Sequence, residues 1–254
     1  MGWTRSELSA LLRARGLRLK RSLGQNFLVD ANFLEAIVRD AEVGPEDVVL
    51  EIGTGAGSLT DRLAAAGARV WSFEVDPALH ALASELLAGR PNVTLTLADG
   101  ADFERHVGDV PRLKVVANLP YEPWKRLLLR LLSTALPVAS YTLMLQRDVV
   151  DRLRAAPGTR DYGPMAAIVQ ATCELKVLRR ASPALFLPPP RVESAVFRLV
   201  RRRRVADLEK VEEALRGLFA GRRKKSTAAG GRRVEELSPE ELLKLASGST
   251  GAHH

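Results

Sequence analysis

The stretch Asn118-Leu119-Pro120-Tyr121 combines residue types that could do chemistry. The side-chain carbonyl of Asn118 and the backbone carbonyl of Leu119 are neighbouring hydrogen-bond acceptors. Together they could hold a ring-conjugated amine, such as N6 of adenine, and stabilise positive charge as it develops on that nitrogen. Pro120 fixes its own φ and keeps Leu119 extended. Tyr121 offers a flat face on which a base drawn out of its helix can stack. Such a transfer needs neither a metal nor a covalent intermediate on the protein. Taken alone, the tetrapeptide fits a strand ending in an Asx-type turn, with Tyr121 in the core, better than it fits a catalyst.

The weighting changes upstream. Glu51-Ile52-Gly53-Thr54-Gly55-Ala56-Gly57 lies between a strand-like and a helix-like run, where glycines permit a sharp turn and the close approach of a ligand. A dinucleotide fingerprint would want its third glycine at position 58, but Ser58 stands there and the glycine is at 57. That spacing, with Glu51 two residues before Gly53, suits S-adenosylmethionine better; a tight turn without a ligand is the alternative. Glu74, Asp99 and Asn118 then close the next three strand-like runs. Glu74 lies about 20 residues beyond the loop, where an acid can accept from both hydroxyls of a ribose. Asp99 could accept from an adenine amino group. Each acid alone reads as a helix cap; four strand tips in succession read as a crevice at the carboxyl edge of a parallel sheet. Asn118 in that crevice reads as catalytic.

The elements that must position these residues alternate. Strand-like runs fall at 47–52, 68–73, 93–97, 114–117, 140–145, 174–178 and 196–200, and helical ones at 58–66, 77–88 and 124–132. This predicts an α/β fold, a Rossmann-like, mostly parallel seven-stranded sheet with helices on both faces. Helices expected at 5–14 and 30–41 could cover the open edge of the ligand site. Composition breaks at Arg201–Arg204, after which 208–219 and 235–245 carry helical spacing. The expected organisation is a methyltransferase domain over 1–200 and a small basic helical domain over 201–254.

Bulk properties restrict the setting. No run approaches the roughly 18 apolar residues of a membrane span, and the scattered charges of residues 5–15 exclude a secretory signal there. Cys173 is the only cysteine, so no disulfide and no cysteine-based metal cluster is expected, and a cytoplasmic location follows. Cys173 reads as a small buried hydrophobe, Trp71 as core or sheet face, Trp124 as a buried helix anchor with an RNA contact as the alternative, and His80 and His106 as surface or capping residues without a metal partner. The net charge of +8 favours a polyanionic partner. Arg201–Arg204, Arg222–Lys225 and Arg232–Arg233 are candidate phosphate contacts, and Arg18, Lys20 and Arg21 form a second candidate face. Each cluster alone is ordinarily a solvated surface.

These motifs resemble the ribosomal RNA adenine N6,N6-dimethyltransferase family, along nearly the whole chain. Gly24-Gln25-Asn26-Phe27-Leu28 is similar to its N-terminal signature, and Leu145–Val149 and Tyr162-Gly163 to later segments. Phe186-Leu187-Pro188-Pro189-Pro190-Arg191-Val192-Glu193-Ser194-Ala195-Val196 resembles the small-subunit (16S) members more than the large-subunit (23S) resistance methyltransferases. The resemblance implies that Asn26, Leu28, Gly53, Glu74, Asp99 and Asn118 bind S-adenosyl-L-methionine. It implies that Asn118, Leu119, Pro120 and Tyr121 are catalytic; Phe186 either adds a second stacking face for the target adenine or is a packed loop aromatic. It further implies dimethylation of two adjacent adenines near the 3′ end of small-subunit rRNA in an immature small ribosomal subunit; a monomer is expected. Two rivals remain: a large-subunit enzyme giving antibiotic resistance, and an assembly factor with weak or no methylation. Where the family usually continues with Asn, Ile, Ser and a small hydroxyl residue, this chain has Glu122-Pro123-Trp124-Lys125. The stretch 226–231 departs as well.

Overall fold

A computed structural model describes residues 3–17, 19, 25–225, 227 and 229–249. Arg18, Lys20, Arg21, Gly24, Ser226 and the terminal 251–254, all invoked above, lie outside the described residues.

The strands are β1 (Phe27–Leu28), β2 (Val48–Ile52), β3 (Arg69–Glu74), β4 (Val93–Leu97), β5 (Leu113–Asn118), β6 (Val138–Gln146), β7 (Cys173–Ala181), β8 (Phe186–Leu187) and β9 (Ser194–Arg201). The helices are α1 (Arg5–Ala14), α2 (Ala31–Asp40), α3 (Ser58–Ala65), α4 (Pro77–Leu86), α5 (Trp124–Ser133), α6 (Arg147–Leu153), α7 (Pro164–Thr172), α8 (Leu208–Phe219) and α9 (Pro239–Ser249). Seven strands form one sheet in the order β4-β3-β2-β5-β6-β9-β7, while β1 and β8 make a separate antiparallel pair. From β4 to β6 the neighbours are parallel; β9 runs antiparallel between β6 and β7. The chain runs outward from β2 through β3 to β4, then crosses back so that β5 lies on the other side of β2. That reversal opens a crevice at the carboxyl ends of the strands. β2 is buried at all five positions, as its unbroken Val-Val-Leu-Glu-Ile requires.

Local signals place several boundaries. Asp76 caps α4 ahead of Pro77, and Asp30 caps α2 through the Phe33 amide. The last helix starts at Pro239 rather than near 235. Ser238 and Glu241 form a reciprocal cap there, with Pro239 at the first helical position, and 234–236 make only a short 3-10 turn. Two helices absent from the sequence reading, α6 and α7, follow β6.

One apolar cluster joins the sheet to α5, α7, α8 and α9, taking in Val115, Leu128, Ile168, Leu208, Leu215, Leu242 and Ala246, with Trp124 packed on it. Sheet gives way to helices after Arg201, and the cluster runs across that change. The Tyr162 hydroxyl donates to the Leu237 carbonyl at 3.2 Å, and its ring packs edge-on against Phe219. Cys173 is buried, and burial raises its thiol pKa. A smaller cluster seats Leu8 and Leu12 of α1 on Phe27, Ala56, Leu79 and Leu82. Arg15 pairs with Glu85 across that contact. The N-terminal helix therefore covers the glycine loop from the α4 side.

Candidate active site

The glycine loop leaves β2 through left-handed backbone, with φ of +87° at Gly53 and +57° at Gly55. Gly55 is also sterically required, because a Cβ there would lie 2.8 Å from Cε1 of Phe27. The loop is braced from β3: the Gly53 and Thr54 amides donate to the Phe73 carbonyl, and the Gly55 amide donates to Oε2 of Glu74 at 2.8 Å. Oε1 of Glu74 accepts from the Val75 and Asp76 amides. These donors fix the orientation of a buried carboxylate whose remaining lone pairs can take a vicinal diol.

Beneath the loop, Oε2 of Glu51 accepts from Ser72 and Thr60, each at 2.6 Å, and Ser72 bonds Thr54. Burial pushes the Glu51 carboxyl up to about 7, against the pull of those hydroxyls. Asp99 caps a 3-10 turn at 100–105 through the Ala101 amide, and its Oδ2 accepts from Arg126 at 2.9 Å.

Asn118 ends β5 beside Gly53. Its Nδ2 donates to the Asn26 carbonyl at 3.2 Å, which leaves Oδ1 as the free end of the amide. Oδ1 is buried and has no hydrogen-bond partner. A shielded acceptor without a donor is costly unless a ligand supplies one. The Leu119 amide donates to the Met144 carbonyl, so the chain continues alongside β6. The Tyr121 hydroxyl bonds Ser194 at 2.9 Å, and burial raises its pKa despite that bond.

A cavity of about 300 Å³ unites these groups. Asn26, Leu28, Gly53, Glu74, Asp99, Asn118, Leu119, Pro120 and Tyr121 all line it. Phe186 does not. It is fully buried, pairs with Leu28 between β8 and β1, and belongs to the apolar cluster of Leu28, Leu34 and Val196. Ser58, Val75, Pro123 and Leu127, unassigned from the sequence, also line the cavity. The Ser58 hydroxyl is a second buried group without a partner. Its place at the first position of the helix leaving the loop was the available signal. Among the described residues no group of three His, Cys, Asp or Glu could hold a metal, and no helix is long and apolar enough to cross a membrane.

The family model described as ribosomal RNA adenine dimethylase matches residues 16–238. The chain belongs to that family. Family membership extends over both the cavity and α8, and curated relatives agree. A protein named ribosomal RNA small subunit methyltransferase A from Moorella thermoacetica is 42% identical over 229 residues, covering 85% of this chain and 80% of its own length. Its namesake from Geobacillus kaustophilus is 40% identical over 224 residues, covering 84% and 76%. Among solved structures, a dimethyladenosine transferase from Plasmodium falciparum shares the fold, with a TM-score of 0.71 at 21% identity over 87% of this chain and 96% of the other. The 23S rRNA methyltransferase ErmE superposes with a TM-score of 0.61 at 28% identity, covering 87% and 98%.

The basic clusters divide by partner. Arg201 donates to the carbonyls of Leu132, Thr134 and Leu136, and Arg204 to that of Ser133, so both close the end of α5. Arg202 pairs with Glu174, Arg222 with Glu235, Arg232 with Glu241 and Arg233 with Glu236. Arg203, Arg223, Lys224 and Lys225 are exposed and without such partners among the described residues.

Proposed function

We propose that this family member transfers methyl groups from S-adenosylmethionine to N6 of two adjacent adenines near the 3′ end of small-subunit rRNA. It would act in the cytoplasm, as a monomer, on the immature small subunit. The observation that carries the reading is the buried, unpartnered Oδ1 of Asn118 in the wall of a cavity that also holds Glu74 and Asp99. The small subunit is favoured over the large one by the names of the relatives at 42% and 40% identity.

The residues present fit the cofactor. The cradle at Gly53 and Gly55 admits a ligand against the backbone, Glu74 has lone pairs for a ribose diol, and Asp99 has them for an adenine amine. Asn26 and Leu28 line the same cavity. Bound S-adenosylmethionine supplies the activated methyl group. The chain's own part is alignment and charge. Asn118 Oδ1 and the Leu119 carbonyl accept from the target N6–H groups, hold the lone pair on line, and stabilise charge that grows on nitrogen. Pro120 keeps that carbonyl extended, and Tyr121, tied at its hydroxyl, stacks on the extruded base. In this reading residues 1–200 do the chemistry and 201–254 dock on the subunit, with Arg203, Arg223, Lys224 and Lys225 as phosphate contacts.

The test is incubation with methyl-labelled cofactor and unmodified small or large subunits, followed by mapping of the label. Label on neighbouring adenines of small-subunit RNA is expected. Label on large-subunit RNA, or stable subunit binding without label, would replace this reading with one of its rivals.

A further inference from the structure

Helix α5 begins directly behind the proposed catalytic loop, and its start has no side-chain cap: the N-cap residue is Pro123. Three consecutive side chains anchor it instead, each in a different direction. Trp124 packs on the large apolar cluster. Lys125 Nζ donates to Oε1 of Glu212 on α8 at 3.0 Å, and Arg126 donates to Asp99 at the cavity wall. At the far end of α5, the Leu208 amide of α8 donates to Ser133 Oγ at 3.2 Å. Helix α8 thus grips α5 at both ends.

The Glu212 side chain is only 10% exposed, whereas that of Lys125 is 43% exposed. A carboxylate so buried requires a cationic partner. Glu212 supplies the acceptor that Lys125 needs, and Lys125 the cation that Glu212 needs. Tyr121 lies four residues before Lys125, in the turn that leads into α5, so movement of the start of α5 passes into the loop.

We infer that Lys125 and Glu212 are positioning residues for methyl transfer: their ion pair fixes the start of α5 and, through it, holds Asn118–Tyr121 against the cavity. The catalytic part of this inference rests on the proposed function; the mechanical part does not. Lys125→Met and Glu212→Gln remove one charge each while keeping most of the side-chain volume, Lys125→Arg keeps the charge, and Lys125→Glu/Glu212→Lys reverses the pair.

Two readouts are needed. In single turnover at saturating subunit and cofactor, counted per S-adenosylhomocysteine-binding site, each neutral variant should lose roughly tenfold in rate, because a displaced loop misaligns the amine. Affinity for S-adenosylhomocysteine should stay within about twofold, and the arginine and reversed variants should recover most of the rate. Amide hydrogen exchange between Leu119 and Leu127, which needs no RNA, should quicken in both neutral variants and slow again in the arginine variant. Unchanged exchange in the neutral variants would overturn the inference, as would rates per site equal to wild type. A wild-type protein that methylates no subunit would defeat the proposed function, and the exchange result would still decide this inference.

Discussion

Asn118 matters because one of its atoms has nothing to bond. Its amide nitrogen is held by the Asn26 carbonyl, so Oδ1 cannot turn away and stays a fixed, shielded acceptor. Preorganised acceptors of this kind contribute most where charge develops. Asn118→Ala should therefore lower the single-turnover rate by about 100-fold or more, while the loss of one hydrogen bond costs only about 1 kcal/mol of stability. A variant that kept near-wild-type turnover would remove Asn118 from the chemistry. Glu51 gives a pH prediction. Its folded carboxyl keeps its proton up to about 7, whereas the unfolded chain releases it near 4.5. The folded state therefore binds the extra proton between those values, and stability falls as pH rises through that window, then levels above it. Glu51→Gln, which still accepts from Ser72 and Thr60, lacks this titration. Its stability relative to wild type should rise from pH 5 to pH 7 by at most about 1.4 kcal/mol per pH unit in urea titrations. A constant difference across that range would contradict the assignment.

At the scale of elements, what the sequence disclosed followed from how strongly each segment is patterned. β2, β3 and β5 were legible as largely apolar runs and β4 as an alternation of Val, Thr and Leu, punctuated by Gly53, Glu74, Asp99 and Asn118, and the candidate site is built on those punctuation marks. Helix α7 was not legible. Its Ala166, Ala167, Ile168 and Val169 are all buried, so it has no polar face to reveal a helical period, and it passes into β7 at Cys173 without a breaker. Helix α6 is a seven-residue piece, too short to show a period. The likeness of a motif left Phe186 open between a stacking face and a packed aromatic, and nothing in the sequence showed that β8 would pair with β1 and bury that ring. Two substitutions test the elements. Gly55→Ala forces a Cβ into the Phe27 ring on left-handed backbone, so it should abolish measurable S-adenosylhomocysteine binding before it unfolds the sheet. Retained affinity would mean that the loop does not form the cofactor cradle. Arg201→Met removes three donors from the carbonyls that end α5 and should cost roughly 2 kcal/mol or more. An unchanged unfolding midpoint would show that water replaces the arginine there.

For the whole molecule, a net charge of +8 is not the same as eight free cations. Most arginines of the three C-terminal clusters close helix ends or pair with acids, which leaves Arg203, Arg223, Lys224 and Lys225 as the proposed phosphate contacts of those clusters. Replacing any one of these four by alanine should weaken subunit binding and reduce the slope of log affinity against log salt by about one, with stability unaffected. Arg201→Met should instead act mainly on stability. If all five variants shifted the salt slope equally, the division between structural and exposed arginines would be wrong. The proposed function rests on a single cofactor being held across successive strand tips. Titration calorimetry with S-adenosylhomocysteine addresses that directly. One site per chain is expected, with affinity reduced about tenfold or more by Glu74→Ala, which removes the proposed ribose acceptor. No heat of binding in the wild-type protein, or full affinity in the variant, would contradict it.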